Sequence, residues 1–129
     1  MGHGDEICLG DCNFPACSCA EAGNGKLIRY DSIRVPPLLD AILSVFPLDN
    51  FVEKSFTLMA VEPGANAKTP IWDEYRSILS KYDERGEATI EYVSRLEYYE
   101  RAKKCFAVVA TGESAPYGNI ILKKGPLFE

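Results

Sequence analysis

The run CFAVVATG, from Cys105 to Gly112, narrows the available folds more than any other stretch of this chain. It has the length of a strand and an uninterrupted apolar centre, the pattern of a strand buried on both faces. Such a strand needs helices above and below it, and the flanking sequence supplies them. Thr69-Pro70 gives an N-cap followed by proline at the first helical position. From there Ile71, Trp72, Tyr75, Ile78, Leu79 and Tyr82 form one continuous stripe, read as core packing. Ser94 and Glu97 sit three apart, as a capping box requires, so a helix is predicted from Arg95 to about Lys104. Pro36-Pro37 leads into LLDAILSVF, whose apolar positions share a broad helical face before Pro47 stops it.

Between these helices lie further strand candidates: Glu6 to Leu9, Leu27 to Tyr30, Ser55 to Glu62, Thr89 to Val93 and Asn119 to Lys124. Gly23-Asn24-Gly25 and Pro63-Gly64 punctuate them as turns. Strands alternating with helices predict an α/β fold: a three-layer single domain spanning 1–129, with a mixed, mostly parallel sheet flanked by helices. In such sheets ligands meet the loops at strand ends. Gly10 to Asn13 and Gly112 to Asn119 are loops of that kind.

At 129 residues, 47% apolar and 26% charged, the chain has the composition of one globular domain. A net charge of -5 without clustered Lys and Arg argues against nucleic acid as a partner. No window approaches the ~20 apolar residues of a membrane span, and no secretory signal pattern opens the chain. A cytoplasmic location follows as the expectation, with the five cysteines as free thiols rather than a disulfide framework. Only Cys8 and Cys12 approach the spacing of a zinc knuckle, and Cys17-x-Cys19 is too tight to chelate, so no metal is expected. Cys105 reads as core.

The only histidine, His3, sits in MGHGDEICLGDCNFP among glycines and carboxylates. An imidazole can take or give a proton near neutrality, yet position alone reads it as an exposed residue of a frayed terminus. Tyr117 and Asn119, flanking Gly118, put a phenol and an amide on permissive backbone. Such groups suit hydrogen bonds to sugar hydroxyls and are equally common in ordinary turns. No GxxxxGK loop, GxSxG elbow or dinucleotide fingerprint is present.

Taken together, MGHGDEI, the DCNFP of Asp11 to Pro15, PLLDAIL, TPIWDEYRSIL, YERAKKCFAVVATGE and YGNIILKKG resemble the fucose mutarotase branch of the fucose mutarotase/ribose pyranase family. The resemblance runs from Met1 nearly to the C-terminus. It implies an isomerase that interconverts the α and β anomers of a free monosaccharide, L-fucose above all, without cofactor or metal. The alternatives within the resemblance are a ribose pyranase and a sugar-binding homologue with impaired catalysis. Matching motifs imply His3 and Tyr117 as the proton-transfer pair, and Asp11, Arg95, Tyr117, Gly118 and Asn119 as the groups that hold the sugar. Asp11 would orient hydroxyls or His3, and Arg95 would donate to sugar oxygens. A cation is disfavoured at the positive end of a helix dipole, which favours a functional reading of Arg95 over a plain salt bridge. Asp5 is expected to brace the His3 loop. The resemblance also implies self-association into a ring-like homo-oligomer, often decameric among family members, with sites where subunits meet. Family members carry a helix before the GHGD motif that is absent here, so the expectation is a preserved fold with a mobile His3 and reduced activity.

Overall fold

The computed structural model describes residues 1–128. Six strands form one sheet: β1 (Glu6–Gly10), β2 (Leu27–Tyr30), β3 (Phe56–Met59), β4 (Ile90–Val93), β5 (Ala107–Thr111) and β6 (Ile120–Lys123). Their order across the sheet is β2-β5-β1-β6-β3-β4. Five strands run one way, and β6 alone runs against its neighbours β1 and β3. The sheet is therefore mixed and mostly parallel, as the sequence predicts.

Four helices cover it: α1 (Ala16–Ala22), α2 (Val35–Leu43), α3 (Pro70–Tyr82) and α4 (Arg95–Lys103). Side chains alternate across the strands, and the core divides accordingly. Leu9, Leu58, Val109, Ile120 and Leu122 face α2 and α3, where Leu39, Leu43, Ile71, Tyr75 and Leu79 meet them. Cys8, Met59, Val108 and Ile121 face α1 and α4, against Cys19, Ala20, Tyr98 and Ala102. Phe56 and Leu58 are completely buried, each such side chain contributing ~1.5–3 kcal/mol by its removal from water. Helices on both faces make the three layers.

Local signals account for most element ends. Ser94 Oγ accepts the Glu97 N–H at 3.2 Å, which caps α4. Pro70 opens α3, although the Thr69 side chain makes no capping bond. Asp73 in the first turn and Lys81 in the last complement its dipole. The second helix begins at Val35, three residues before the predicted Leu38, because a helix's first N–H groups have no intrahelical acceptor and prolines there forfeit nothing. β3 stops at Met59 rather than running to Glu62. Its neighbour β4 ends at Val93, whose carbonyl accepts the Ala60 N–H at 2.8 Å, and beyond that bond the chain leaves the sheet.

One helix, α1, is not predicted. Its residues, ACSCAEA, are small and carry no apolar stripe long enough to read. It ends where it meets α4: a Cβ on Gly23 would lie 1.6 Å from the Lys103 carbonyl oxygen, so only glycine fits. All five cysteines are free. Burial pushes the Cys8 thiol up to about 12, and Tyr98 Oη lies 3.5 Å from it. No described helix is long and apolar enough to cross a membrane.

Candidate active site

Because five strands share a direction, their carboxyl ends gather at one edge of the sheet, together with the start of β6. Asp11 follows β1, Ala60 to Glu62 follow β3, Arg95 follows β4, and Tyr117 to Asn119 lead into β6. The fold thus brings five of the sequence-derived site residues to one end.

Their geometry is closely braced. The Asp11 N–H donates to Asn119 Oδ1 at 2.7 Å, and Asp11 Oδ1 accepts the Asn13 N–H at 3.0 Å. Burial raises the Asp11 carboxyl above its usual range, and the N–H groups of Asn13, Gly118 and Phe14 offset only part of that. Tyr117 adopts φ 56, a left-handed conformation costing a residue with a side chain ~1–3 kcal/mol. Helix α3 holds it there. Trp72 Nε1 donates to the Tyr117 carbonyl at 2.9 Å, and Tyr75 Oη donates to the Gly118 carbonyl at 2.6 Å. Burial and the nearby Glu113 and Asp11 push the Tyr75 hydroxyl up, keeping it a donor. The Tyr117 hydroxyl in turn accepts the Glu62 N–H at 3.3 Å.

Arg95, at the first position of α4, pairs through Nε with Glu62 at 2.5 Å and lies 5.8 Å from the Tyr99 ring centre. The salt bridge that the sequence reading sets aside is thus present. Two clefts open at this end. Asp11, Cys12 and Thr111 line one of ≈ 410 Å³; Glu62, Arg95 and Leu96 line one of ≈ 510 Å³. Both volumes fall in the ~300–1,000 Å³ range of small-molecule sites.

Glu113 is a participant that the motifs do not reveal. Its carboxylate is fully buried and accepts four bonds: two from the Arg34 guanidinium, one from the Val35 N–H and one from the Ala115 N–H. Its carbonyl accepts the Cys12 N–H at 2.7 Å. One residue therefore ties the start of α2, the Asp11 loop and the segment before Tyr117. The available signal was a charged side chain directly after an apolar strand. Trp72 and Tyr75 were legible only as core, although any buried indole or phenol must find a polar partner.

His3 is not brought to this cluster within one chain. It precedes β1 and stands at the opposite end of the sheet, where Gly4 N–H donates to the Lys124 carbonyl. The five residues of β1 place the two ends about 17 Å apart at ~3.3 Å per residue. Nor does Asp11 orient it. The carboxylate on His3 is Asp49, whose Oδ1 lies 2.9 Å from Nε2. Burial works against charge on Asp49, but the Phe51 N–H and His3 outweigh it and hold the carboxyl below its usual range. The Phe51 ring is 4.9 Å from the imidazole. Asp5 braces the loop as expected, accepting the Gly2 N–H at 2.7 Å.

Known proteins match this chain over nearly its whole length. Residues 1–127 match the RbsD / FucU transport protein family. A fucose mutarotase of Mus musculus is 51% identical over 130 residues, covering 98% of this chain and 83% of its own. FucU from Bifidobacterium longum superposes with a TM-score of 0.95 at 45% identity, over 99% of this chain and 88% of that one. A fucose mutarotase of Streptococcus pneumoniae, solved in complex with L-fucose, gives 0.89 at 47%, over 99% and 87%. This chain belongs to the RbsD / FucU family.

Proposed function

We propose that this protein is an L-fucose mutarotase, an isomerase that exchanges the α and β anomers of the free sugar. The observation that carries this is the agreement between fucose mutarotase relatives near 50% identity and a braced, polar strand-end site. Exchange requires ring opening. A base takes the proton of the anomeric hydroxyl, the C1–O5 bond breaks as C1=O forms, and an acid protonates O5. The aldehyde then turns about C1–C2 and the ring closes on its other face, with the proton transfers reversed. His3 and Tyr117 are the proton carriers and exchange roles between directions. Asp11, Arg95, Gly118 and Asn119 hold the hydroxyls.

In this reading the working site is shared. A proton carrier must stand within ~2.6–3.2 Å of its atom, and β1 separates His3 from Tyr117 by far more. His3 of one copy therefore serves the Asp11–Tyr117 cluster of the next. Apolar side chains exposed at both ends support such a head-to-tail contact: Phe51 and Phe128 on the His3 side, Leu96 and Tyr92 on the other. Repeated contacts of that kind close into a ring when the rotation permits. The cytosol is the compartment of this reading, where exposed thiols such as Cys12 and Cys17 stay reduced.

Saturation-transfer NMR of L-fucose tests both parts. The native chain accelerates anomer exchange, whereas His3→Ala and Tyr117→Phe each abolish most of it. Co-producing the two variants in one cell restores about a quarter of the native rate per site, since random head-to-tail mixing pairs the intact halves that often. Restoration of nothing by mixing would refute the shared site. Binding of fucose without exchange by the native chain would refute the activity.

A further inference from the structure

The sole imidazole of this chain is held by a carboxylate that none of the sequence motifs contains. Asp49 lies 46 residues from His3 and meets it at 2.9 Å, with its own side chain only 4% exposed against 43% for His3. Asp49 is itself anchored on several sides. Its N–H donates to the Lys123 carbonyl at 2.9 Å, its carbonyl accepts from Arg85 at 3.1 Å, and its Oδ1 also accepts the Phe51 N–H at 3.0 Å. Arg85 is fixed in turn by Asp83, through Nε at 3.1 Å and the guanidinium NH2 at 2.9 Å. A fixed, buried acceptor thus faces one nitrogen of an otherwise half-exposed ring.

We propose that Asp49 is a positioning residue for anomer exchange, holding His3 as the Nε2–H tautomer so that Nδ1 carries the free lone pair. An ionised carboxylate can only accept, so the nitrogen it faces must bear a proton. That leaves Nδ1 as the single site able to take the anomeric proton. When it does, the resulting imidazolium is stabilised by the same carboxylate, which keeps its charge throughout. The Phe51 ring, tilted at 44° with its centre 4.9 Å from that of the imidazole, occupies one side of the ring, so the two contacts set direction as well as tautomer. The inference deepens the proposed function and rests on His3 being a proton carrier.

Because His3 is the only histidine, its ring nitrogens give unambiguous signals in ¹⁵N-labelled native protein. Long-range ¹H–¹⁵N correlations above the imidazole's titration should show a protonated Nε2 and a bare Nδ1. An Nδ1–H tautomer in the native protein would overturn the proposal without any variant being made. Asp49→Asn keeps an amide oxygen for both Nε2–H and the Phe51 N–H but loses the charge that stabilises the imidazolium, and should lower kcat for L-fucose exchange at least a hundredfold while KM stays within threefold. Asp49→Glu, which keeps the carboxylate, should recover at least tenfold over the asparagine variant. An Asp49→Asn protein with native kcat would equally overturn it. Should the native chain exchange no fucose, the functional reading fails by itself, and the tautomer measurement still decides whether Asp49 directs the ring.

Discussion

The two ends of this sheet are built on different principles. At the strand-end cluster, Asp11, Glu113 and Asn119 are buried, bonds from the start of α2 and the β1 loop fix them, and α3 holds the adjoining Tyr117 and Gly118 carbonyls. At the opposite end His3 stands half exposed, with one hydrogen bond and one ring contact. In the proposed site the two proton carriers therefore stand on different footings, Tyr117 inside the braced frame and His3 at the exposed end. Groups that read hydroxyls need a rigid frame, because sub-ångström misplacement costs affinity and rate. If His3 serves a neighbouring copy, as proposed, it must instead protrude from its own chain.

Four measurements break or sharpen that contrast. His3→Ala is expected to slow exchange about a hundred- to ten-thousandfold while costing only about 0.5–1.5 kcal/mol of stability, as for one lost hydrogen bond. Saturation-transfer NMR and thermal melts report the two separately, and a large loss of stability would contradict the description of this end. At the braced end the balance differs. Glu113→Gln turns an NH2 toward a bonded donor and should destabilise the fold by about 1–3 kcal/mol, read by urea denaturation, with exchange falling in parallel. Tyr75→Phe removes the donor to the Gly118 carbonyl and should cost about 1 kcal/mol in the same assay. Since Trp72 is the only tryptophan and bonds the Tyr117 carbonyl, its emission should shift in that variant.

The smallest effect is a divergence with acid. Asp49 has a folded pKa below its ordinary 3.8, so it stabilises the fold above that value and loses the contribution as pH falls through the folded one. Asp83 behaves alike, held down by Arg85. Asp11 is raised by burial, so its charged form weighs against folding at neutral pH and acidification relieves it. Amide exchange followed from pH 5 to 3 should therefore show residues 49–53 losing protection before residues 11–14. The reverse order would contradict the assignment of strain and support to the two ends.

Much of this was legible in the residues themselves. Alternation and stripe patterns located all six strands and three helices, because apolar periodicity is a local property. The helix α1 escaped since Ala, Cys and Ser bury too little to leave a pattern. Asp11, Arg95 and Tyr117 to Asn119 could be proposed from motifs, and the parallel strands explain why they converge. The distance of His3 from them could not be read, because strand direction and order are set by long-range pairing. Asp49 was invisible for the same reason, and Glu113 showed only as a charge after an apolar strand: each acts on segments many residues away, and a carboxylate in a loop looks the same whether it is solvated or buried.

The reversed strand β6 has a consequence for how the molecule is made. It lies between β1 and β3, so the β2-β5-β1 half and the β3-β4 half are joined within the sheet only through residues 120–123. A nascent chain can assemble either half as it leaves the ribosome but cannot unite them until this late segment has emerged. Such dependence on distant pairing slows folding and leaves the unpaired margins of β1 and β3 open to other chains meanwhile. Yield during synthesis should thus be most sensitive to changes in Ile120, Ile121 and Leu122, which close the sheet.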